Sequence, residues 1–214
     1  SSAYHYLEKL ENAIAQDQIA GKPWRNELAN ALADKSQQII NQYIAGNEGM
    51  SRDTVFRLGV RELNAWMKIK NPADPLYNNM VARRYFFEAR SVSPLAVDND
   101  VDRAQLGKAI DKLRISLRIE SQTAHIHNAM GRLFAQNRQY DSALAHYYTA
   151  IALAPRWKFP YNNKGAAWQE KAWDGCKPCG DSAIAAYERS LKLDPKYALA
   201  LKNLGYLYYQ KGEK

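Results

Sequence analysis

The feature that most constrains this chain is a fixed spacing of small, aromatic and proline residues that recurs along its C-terminal part. Each set has a glycine, then a small residue, an aromatic residue, a second small residue and a proline. The two full sets are Gly131, Ala143, Tyr147, Ala150 and Pro155, then Gly165, Ala183, Tyr187, Ser190 and Pro195, and Gly205 begins a third set. Small residues let helix backbones approach closely while rings fill the space between them, so the spacing predicts stacked helical pairs.

This pattern resembles the tetratricopeptide repeat, a 34-residue helix-turn-helix unit. The resemblance is strong over residues 124–214 and weak over residues 76–123, and it implies an all-α, right-handed α-solenoid preceded by diverged helical pairs. The second repeat is six residues too long, and we place the extra residues between its helices, within 173–180. The predicted units are 124–157, 158–197 and a partial or capping helix at 198–214, after a degenerate repeat at 76–123 and diverged or capping helices at 1–75.

The N-terminal half shows helical periodicity without the repeat signature. No alternating strand pattern of useful length occurs, so the whole chain is predicted to be helical. In the degenerate repeat we expect a helix at 76–89, a loop at 90–101 and a second helix that ends at Thr123. The predicted apolar stripes further upstream are Tyr4, Leu7, Leu10 and Ile14; Leu28, Leu32, Ile39, Ile40 and Tyr43; and Phe56, Val60, Leu63 and Met67.

Composition and charge narrow the class of partner. With 46% hydrophobic and 24% charged residues the chain has the composition of a globular protein, and no apolar run is long enough for a membrane span. The formal charge is +8, and residues 124–214 hold thirteen basic but seven acidic side chains. An acidic or phosphorylated protein partner is therefore favoured. Nucleic acid is not, because the basic residues are scattered and form no recognisable module.

The resemblance also implies where a ligand would be held, since the first helices of successive repeats line a concave groove in this family. Amide and ring side chains suit an extended peptide, and Arg132 and Lys202 suit a carboxylate or phosphate. The groove residues carried over are His125, Asn128, Arg132, Gln136, Phe159, Asn162, Asn163, Ala166, Gln169, Lys202, Tyr206 and Tyr209, with Glu170, Leu199 and Gln210 beside them.

A more specific version of this groove fails on the residues. Family members that grip the carboxylate of a chaperone tail use an asparagine on the second repeat and two basic residues on the third. Asn163 matches the asparagine, but Leu199 and Asn203 stand where the basic pair would be. A chaperone tail is therefore not the expected ligand.

Cys176 and Cys179 form the strongest local chemical motif and leave several functions open. They can make a short structural disulfide, remain surface thiols, act as a redox pair or supply half of a zinc site. Zinc normally takes four ligands, and the histidines at 5, 125, 127 and 146 are scattered in sequence. A disulfide would favour an oxidising compartment such as the bacterial periplasm.

No motif in the chain predicts an enzyme. The sequence lacks a glycine-rich phosphate loop, a nucleophile elbow and paired metal-binding histidines on one helix. We therefore expect a non-catalytic scaffold or adaptor, without metal or cofactor, that binds a peptide segment or subunit of a partner in a bacterial protein complex. The alternatives are a redox or metal-linked assembly factor that uses Cys176 and Cys179, and an accessory subunit bound through the convex face or the N-terminal helices.

Overall fold

A computed structural model describes residues 8–9, 12–13, 22–46, 52–92 and 103–212 of the chain. Within these residues the regular structure is entirely α-helical, as predicted. The chain divides into two compact units, Ser1–Ser121 and Gln122–Lys214. The helices are α1 (Arg25–Ala45), α2 (Arg52–Ile69), α3 (Tyr77–Val92), α4 (Arg103–Ile119), α5 (Ala124–Gln136), α6 (Tyr140–Leu153), α7 (Lys158–Trp173), α8 (Cys179–Leu193) and α9 (Ala198–Gly212).

In the N-terminal unit each helix from α1 to α4 packs on the next one in sequence. Its core contains an edge-to-face cluster in which the ring centroids of Tyr43, Phe56 and Phe86 lie 5.5–6.1 Å apart. The second and third predicted stripes fall on α1 and α2, while the first stripe lies outside the described residues. Trp66 on α2, which the third stripe omitted, is among the most deeply buried side chains of this unit.

The predicted loop at 90–101 is wrong at its start, because α3 continues to Val92. Packing explains the extra turn. Arg90 is buried, and its guanidinium carbon lies 5.4 Å from the ring centroid of Tyr43 and 5.5 Å from that of Phe56. The following helix, α4, ends at Ile119 rather than at Thr123.

The C-terminal unit consists of two helical pairs and one further helix. Helices α5 and α6, then α7 and α8, form antiparallel pairs, and α9 packs on α8. Helix α7 also contacts both α5 and α9, so the first helices of successive repeats lie side by side. The turn in the first pair covers residues 137–139, as predicted, and Arg138 adopts the left-handed conformation there, with φ of 57°.

In each helical pair, a tyrosine of the second helix packs so closely on the first helix that only glycine fits opposite its ring. A methyl group placed on Gly131 would lie 2.6 Å from a ring carbon of Tyr147, and one on Gly165 would lie 2.7 Å from the ring of Tyr187. Both rings are almost completely buried. The two repeats are therefore equivalent at the positions that the spacing identified. Gly205 has no neighbour within 4 Å of such a methyl group.

The six extra residues of the second repeat are distributed over three places. Helix α7 is three residues longer than α5, the connection at 174–178 is two residues longer than the turn at 137–139, and α8 is one residue longer than α6. The insertion therefore extends a helix as well as a turn, which the length of the repeat alone does not reveal.

We predict opposite effects of alanine at two glycines of the repeat pattern. Gly131→Ala should lower the free energy of unfolding by about 1–3 kcal/mol, because the new methyl group collides with the buried ring of Tyr147. Gly205→Ala should leave it unchanged or raise it by up to about 1 kcal/mol, since alanine is the better helix former and the site is open. Urea unfolding followed by circular dichroism measures both, and equal effects would contradict the proposed packing.

A buried carboxylate makes stability of the N-terminal unit depend on pH. Glu62 on α2 is only 2% exposed, and its Oε1 lies 3.5 Å from Nζ of Lys35, whose side chain is 58% exposed. Burial raises the pKa of Glu62 more than the attraction of Lys35 lowers it. Its Oε2 has no hydrogen-bond partner within the described residues. Because the folded state holds this proton more tightly, stability falls as pH rises from the unfolded pKa through the folded one.

Replacing Glu62 by glutamine should therefore stabilise the protein by about 1 kcal/mol at neutral pH, and by little below about pH 4. The change removes the cost of burying a charge and keeps the size of the side chain. Urea midpoints at the two pH values measure the difference, with the exposed Glu27→Gln on α1 as the control. A larger gain in acid than at neutral pH would show that burial of the charge is not the cause.

Candidate functional site

The predicted groove residues fall on α5, α7 and α9, the three first helices that lie side by side. They differ in accessibility. Asn128, Asn162 and Gln169 are buried, at 2%, 2% and 8% exposure. Lys202, Tyr206 and Tyr209 are exposed, and the half-buried members are His125, Arg132, Gln136, Phe159, Asn163 and Ala166.

Two of the buried amides belong to a repeated hydrogen bond between neighbouring helices. Asn163 on α7 donates from Nδ2 to Oδ1 of Asn128 on α5, at 2.9 Å. Asn203 on α9 donates in the same way to Asn162 on α7, at 3.4 Å. Each bond joins the sixth residue of one repeat to the fifth residue of the repeat before it. This ladder sets the register of the three helices.

The third buried amide is also used inside the fold. Gln169 accepts a hydrogen bond at 2.8 Å from the hydroxyl of Tyr187, the ring that packs on Gly165. Burial raises the pKa of Tyr187, which keeps this donor protonated. The accessible part of the predicted groove therefore consists of its half-buried and exposed members, and the buried amides hold its floor together.

The groove begins near an aromatic cluster at the start of α7. The ring of Phe159 lies edge-on to Trp157 and Tyr197, with centroid distances of 6.1 and 5.3 Å. Nζ of Lys158 lies 4.8 Å from the centroid of Tyr197 and also pairs with the carboxylate of Asp194. This network positions Phe159 and lowers the pKa of Asp194.

Two cations of the predicted groove lie outside the ion pairs formed among the described residues of the C-terminal unit. Four of its carboxylates are consumed in ion pairs, namely Asp141 with Lys171, Asp174 with Arg138, Asp181 with Lys211 and Asp194 with Lys158. Arg132 and Lys202 have no ion-pair partner within 4.0 Å among the residues that the structure describes. Both cations therefore remain available for an anionic ligand.

Lys164 lies on the opposite side of α7 from the groove residues. It is half-buried, and its Nζ lies 4.9 Å from the ring centroid of Tyr148 and 5.8 Å from that of Tyr161. Burial lowers the pKa of this amine. This position is usually apolar in tetratricopeptide repeats. Lys164 can occupy it because its methylene stem packs between two rings.

Sequence reasoning missed Trp173, the last residue of α7. Its side chain is 50% exposed and meets Tyr206 on α9 edge-on, with ring centroids 6.1 Å apart and planes at 86°. Trp173 is seven residues after Ala166, close to two helical turns of about 3.6 residues, so it continues the groove face. This regular spacing was the available signal, but the expected helix ended too early to include it.

Sequence reasoning also separated two histidines that the fold brings together. Nδ1 of His127 on α5 lies 3.0 Å from Nδ1 of His146 on α6, and His146 stacks on Phe134 with a centroid distance of 5.4 Å. These two histidines are distant in sequence but adjacent in the fold. Among the described residues, no group of three or more His, Cys, Asp or Glu side chains is placed to hold a metal ion.

Cys176 and Cys179 flank the turn that follows α7. Their sulfurs lie at bonding distance, and their Cα atoms are 5.4 Å apart, within the range of about 4.4–6.8 Å found for disulfides. The turn is also held by backbone hydrogen bonds from Cys176 to Lys171 and from Cys179 to Cys176, both 3.1 Å long. Cys179 is buried at the start of α8.

Comparisons with known proteins agree on the repeat. The TPR repeat family matches residues 181–212. No curated protein sequence matches the chain.

The described helices include none that is both long and apolar enough to cross a membrane.

Several solved structures share the fold. PilF of Pseudomonas aeruginosa has 17% identity and a TM-score of 0.57, covering 88% of this chain and 71% of its own. MamA from Desulfovibrio magneticus RS-1 has 16% identity and a TM-score of 0.55, with 86% of each chain covered. The first TPR of Spaghetti (RPAP3), bound to the HSP90 peptide SRMEEVD, has 16% identity and a TM-score of 0.52, covering 62% of this chain and 96% of its own. At such identities the likeness establishes the fold.

We predict that Cys176 and Cys179 are joined in protein purified without reductant, because the turn already holds their Cα atoms at disulfide distance. Intact mass before and after reduction should differ by two hydrogens, and a thiol reagent should label neither cysteine of the denatured, unreduced protein. Bound zinc, or two reactive thiols after aerobic purification, would contradict this pairing.

Proposed function

We propose that the C-terminal unit, in which residues 181–212 match the TPR repeat family, is a non-catalytic scaffold that holds an extended segment of a partner protein. The ligand lies across α5, α7 and α9. The observation that carries the proposal is the shared face of these helices, on which Arg132, Lys202, Tyr206 and Tyr209 remain accessible while the buried asparagines fix the helix register.

The binding mechanism is preorganisation. The hydrogen bonds from Asn163 to Asn128 and from Asn203 to Asn162 hold the three helices in place before a ligand arrives. The partner then bears most of the ordering cost, and rigid rings such as Tyr206 add contact area at low entropic cost. Amide side chains on the same face can pair with both donors and acceptors of an extended backbone.

The partner segment is acidic. Four carboxylates of the C-terminal unit are held in internal ion pairs, and Arg132 and Lys202 have no such partner within the described part of the chain. One of the similar structures, the first TPR of Spaghetti (RPAP3), holds the peptide SRMEEVD, which is itself acidic. The present groove would grip such charges differently, since Leu199 and Asn203 occupy the places of the basic pair that captures a chaperone tail.

A second candidate function uses the cysteine pair. The sulfurs of Cys176 and Cys179 lie at bonding distance in an inserted turn beside the groove, which favours a structural link and also allows a redox or metal-linked assembly factor. A disulfide would place the protein in an oxidising compartment such as the bacterial periplasm. The two functions separate experimentally, because an assembly factor loses activity when both cysteines become serine, while a scaffold keeps its partner.

The scaffold function is tested by Tyr206→Ala combined with Lys202→Ala. The double variant should capture its partner at least about tenfold more weakly, because it loses an exposed ring and an available cation on one face. Immobilised wild-type and variant proteins are exposed to native extract, and bound proteins are quantified by mass spectrometry. Far-ultraviolet circular dichroism checks that helicity is retained.

Tyr208→Ala combined with Lys192→Ala is the matched control. Both residues are exposed and of the same types, but Tyr208 points away from the groove and its hydroxyl donates to Glu188 on α8 at 3.1 Å. The control should capture the same partner as wild type. If the folded groove variant captures the partner as well as wild type does, the groove is not the binding site. If only the control loses the partner, the interface lies on the side of α8 and α9 that carries Lys192 and Tyr208.

A further inference from the structure

We propose that Trp173 and Tyr206 form a subsite for a proline in the partner segment, with an acidic residue beside that proline. This inference rests on the proposed function, because it names the chemistry of the ligand in the same groove. It arises from the inserted residues of the second repeat, which lengthen α7 by three residues relative to α5 and end it at Trp173.

The lengthened helix adds one turn to the groove face. Phe159, Ala166 and Trp173 are spaced by seven residues each, close to two helical turns, so they line one side of α7. Without the extra residues the helix would stop near Glu170, before the ring that meets Tyr206. The insertion therefore supplies a residue that faces α9 across the end of the groove.

The two rings form an open corner. Their planes are at 86° and their centroids are 6.1 Å apart, while Trp173 is 50% and Tyr206 46% exposed. Gln210 on α9 donates from Nε2 to the Tyr206 hydroxyl at 2.9 Å, which fixes that ring. A flat aromatic side chain would stack on one ring only, whereas a compact pyrrolidine ring contacts both faces of such a corner.

Proline also fits the groove through its backbone. A polyproline II segment has no internal hydrogen bonds, so its carbonyl oxygens are available to donors such as the indole N–H of Trp173. Its conformation is fixed before binding, and aromatic-lined grooves bind such segments for this reason. A partner segment that is already extended can lie along the groove face of α7 without first losing internal hydrogen bonds.

The charges around the corner select an acidic neighbour. Lys202 lies four residues before Tyr206, one turn away on α9, and has no ion-pair partner among the described residues. The nearby carboxylates of Asp174 and Asp141 are already paired with Arg138 and Lys171. Glu170, three residues before Trp173, is half-buried and attracted to Arg138. Lys202 therefore remains available to an aspartate or glutamate of the ligand.

The turn after α7 holds Trp173 in place. Backbone N–H groups of Asp174, Gly175 and Cys176 donate to the last carbonyls of α7 at 3.0–3.1 Å. Gly175 takes φ of 103°, a conformation that favours glycine, and the Cys176–Cys179 pair closes the turn. A ring at the end of a helix would otherwise fray with it, so this closure preorganises the corner.

The test observes Trp173 directly. Indole N–H resonances of the full ¹⁵N-labelled chain are recorded, and the Trp173 signal is assigned as the one lost in Trp173→Phe. The probe is a synthetic peptide of repeated Asp-Pro-Pro triplets. Two matched peptides replace every proline by alanine or every aspartate by serine. Trp24, exposed in the N-terminal unit, is the internal control.

The Trp173 resonance should move saturably with the Asp-Pro-Pro peptide while that of Trp24 stays in place. The alanine and serine peptides should each bind at least tenfold more weakly, and Trp173→Ala should lower the affinity for the proline peptide at least tenfold. An unmoved Trp173 resonance, or equal binding of the alanine peptide, would overturn the proline subsite, and equal binding of the serine peptide would overturn its acidic preference.

These outcomes are distinct from failure of the scaffold function. If Tyr206→Ala with Lys202→Ala loses the natural partner but the Trp173 resonance ignores the proline peptide, the groove stands and the subsite is wrong. If the resonance responds while the groove variant keeps its natural partner, the subsite stands and the partner binds elsewhere. The response of the Trp173 resonance is read in the wild-type protein, so only its assignment depends on a variant.

Discussion

The C-terminal unit depends on the contact between a glycine in one helix and a tyrosine ring in the next. Gly131 lies against Tyr147 and Gly165 against Tyr187, so close that a single methyl group would collide with the ring. This contact sets the distance within each helical pair. Because both pairs are built alike, α5 and α7 present corresponding faces. The asparagine at the fifth position of each repeat can then bond to the one at the sixth position of the next repeat.

What the sequence predicted follows from this contact. A glycine, a small residue and a ring at fixed offsets are short-range requirements of one helical pair, so they can be read without a structure. The fate of the inserted residues could not be read in the same way, since a repeat that is too long does not say whether a helix or a turn has grown. Likewise His127 and His146, on different helices, meet only because α5 and α6 pack antiparallel.

The groove shows the same division between pattern and packing. Family positions indicated which side chains share a face, and α5, α7 and α9 do lie side by side. Position alone could not distinguish Asn162 from Tyr206. Asn162 is buried and accepts a hydrogen bond from Asn203 of the next repeat, whereas Tyr206 is exposed. That difference depends on how closely neighbouring repeats approach, a tertiary quantity without a signature in one repeat.

Departures from the repeat are therefore the places where this chain can differ in what it binds. Residues that keep the pattern, such as Gly165 and Tyr187, are occupied in holding helices together and have little freedom to contact a ligand. The inserted residues are not part of the glycine–tyrosine contacts. They lengthen α7, place Trp173 against Tyr206 and close the turn with Cys176 and Cys179. A repeat scaffold can gain a specific subsite in this way without altering the contacts that stack it.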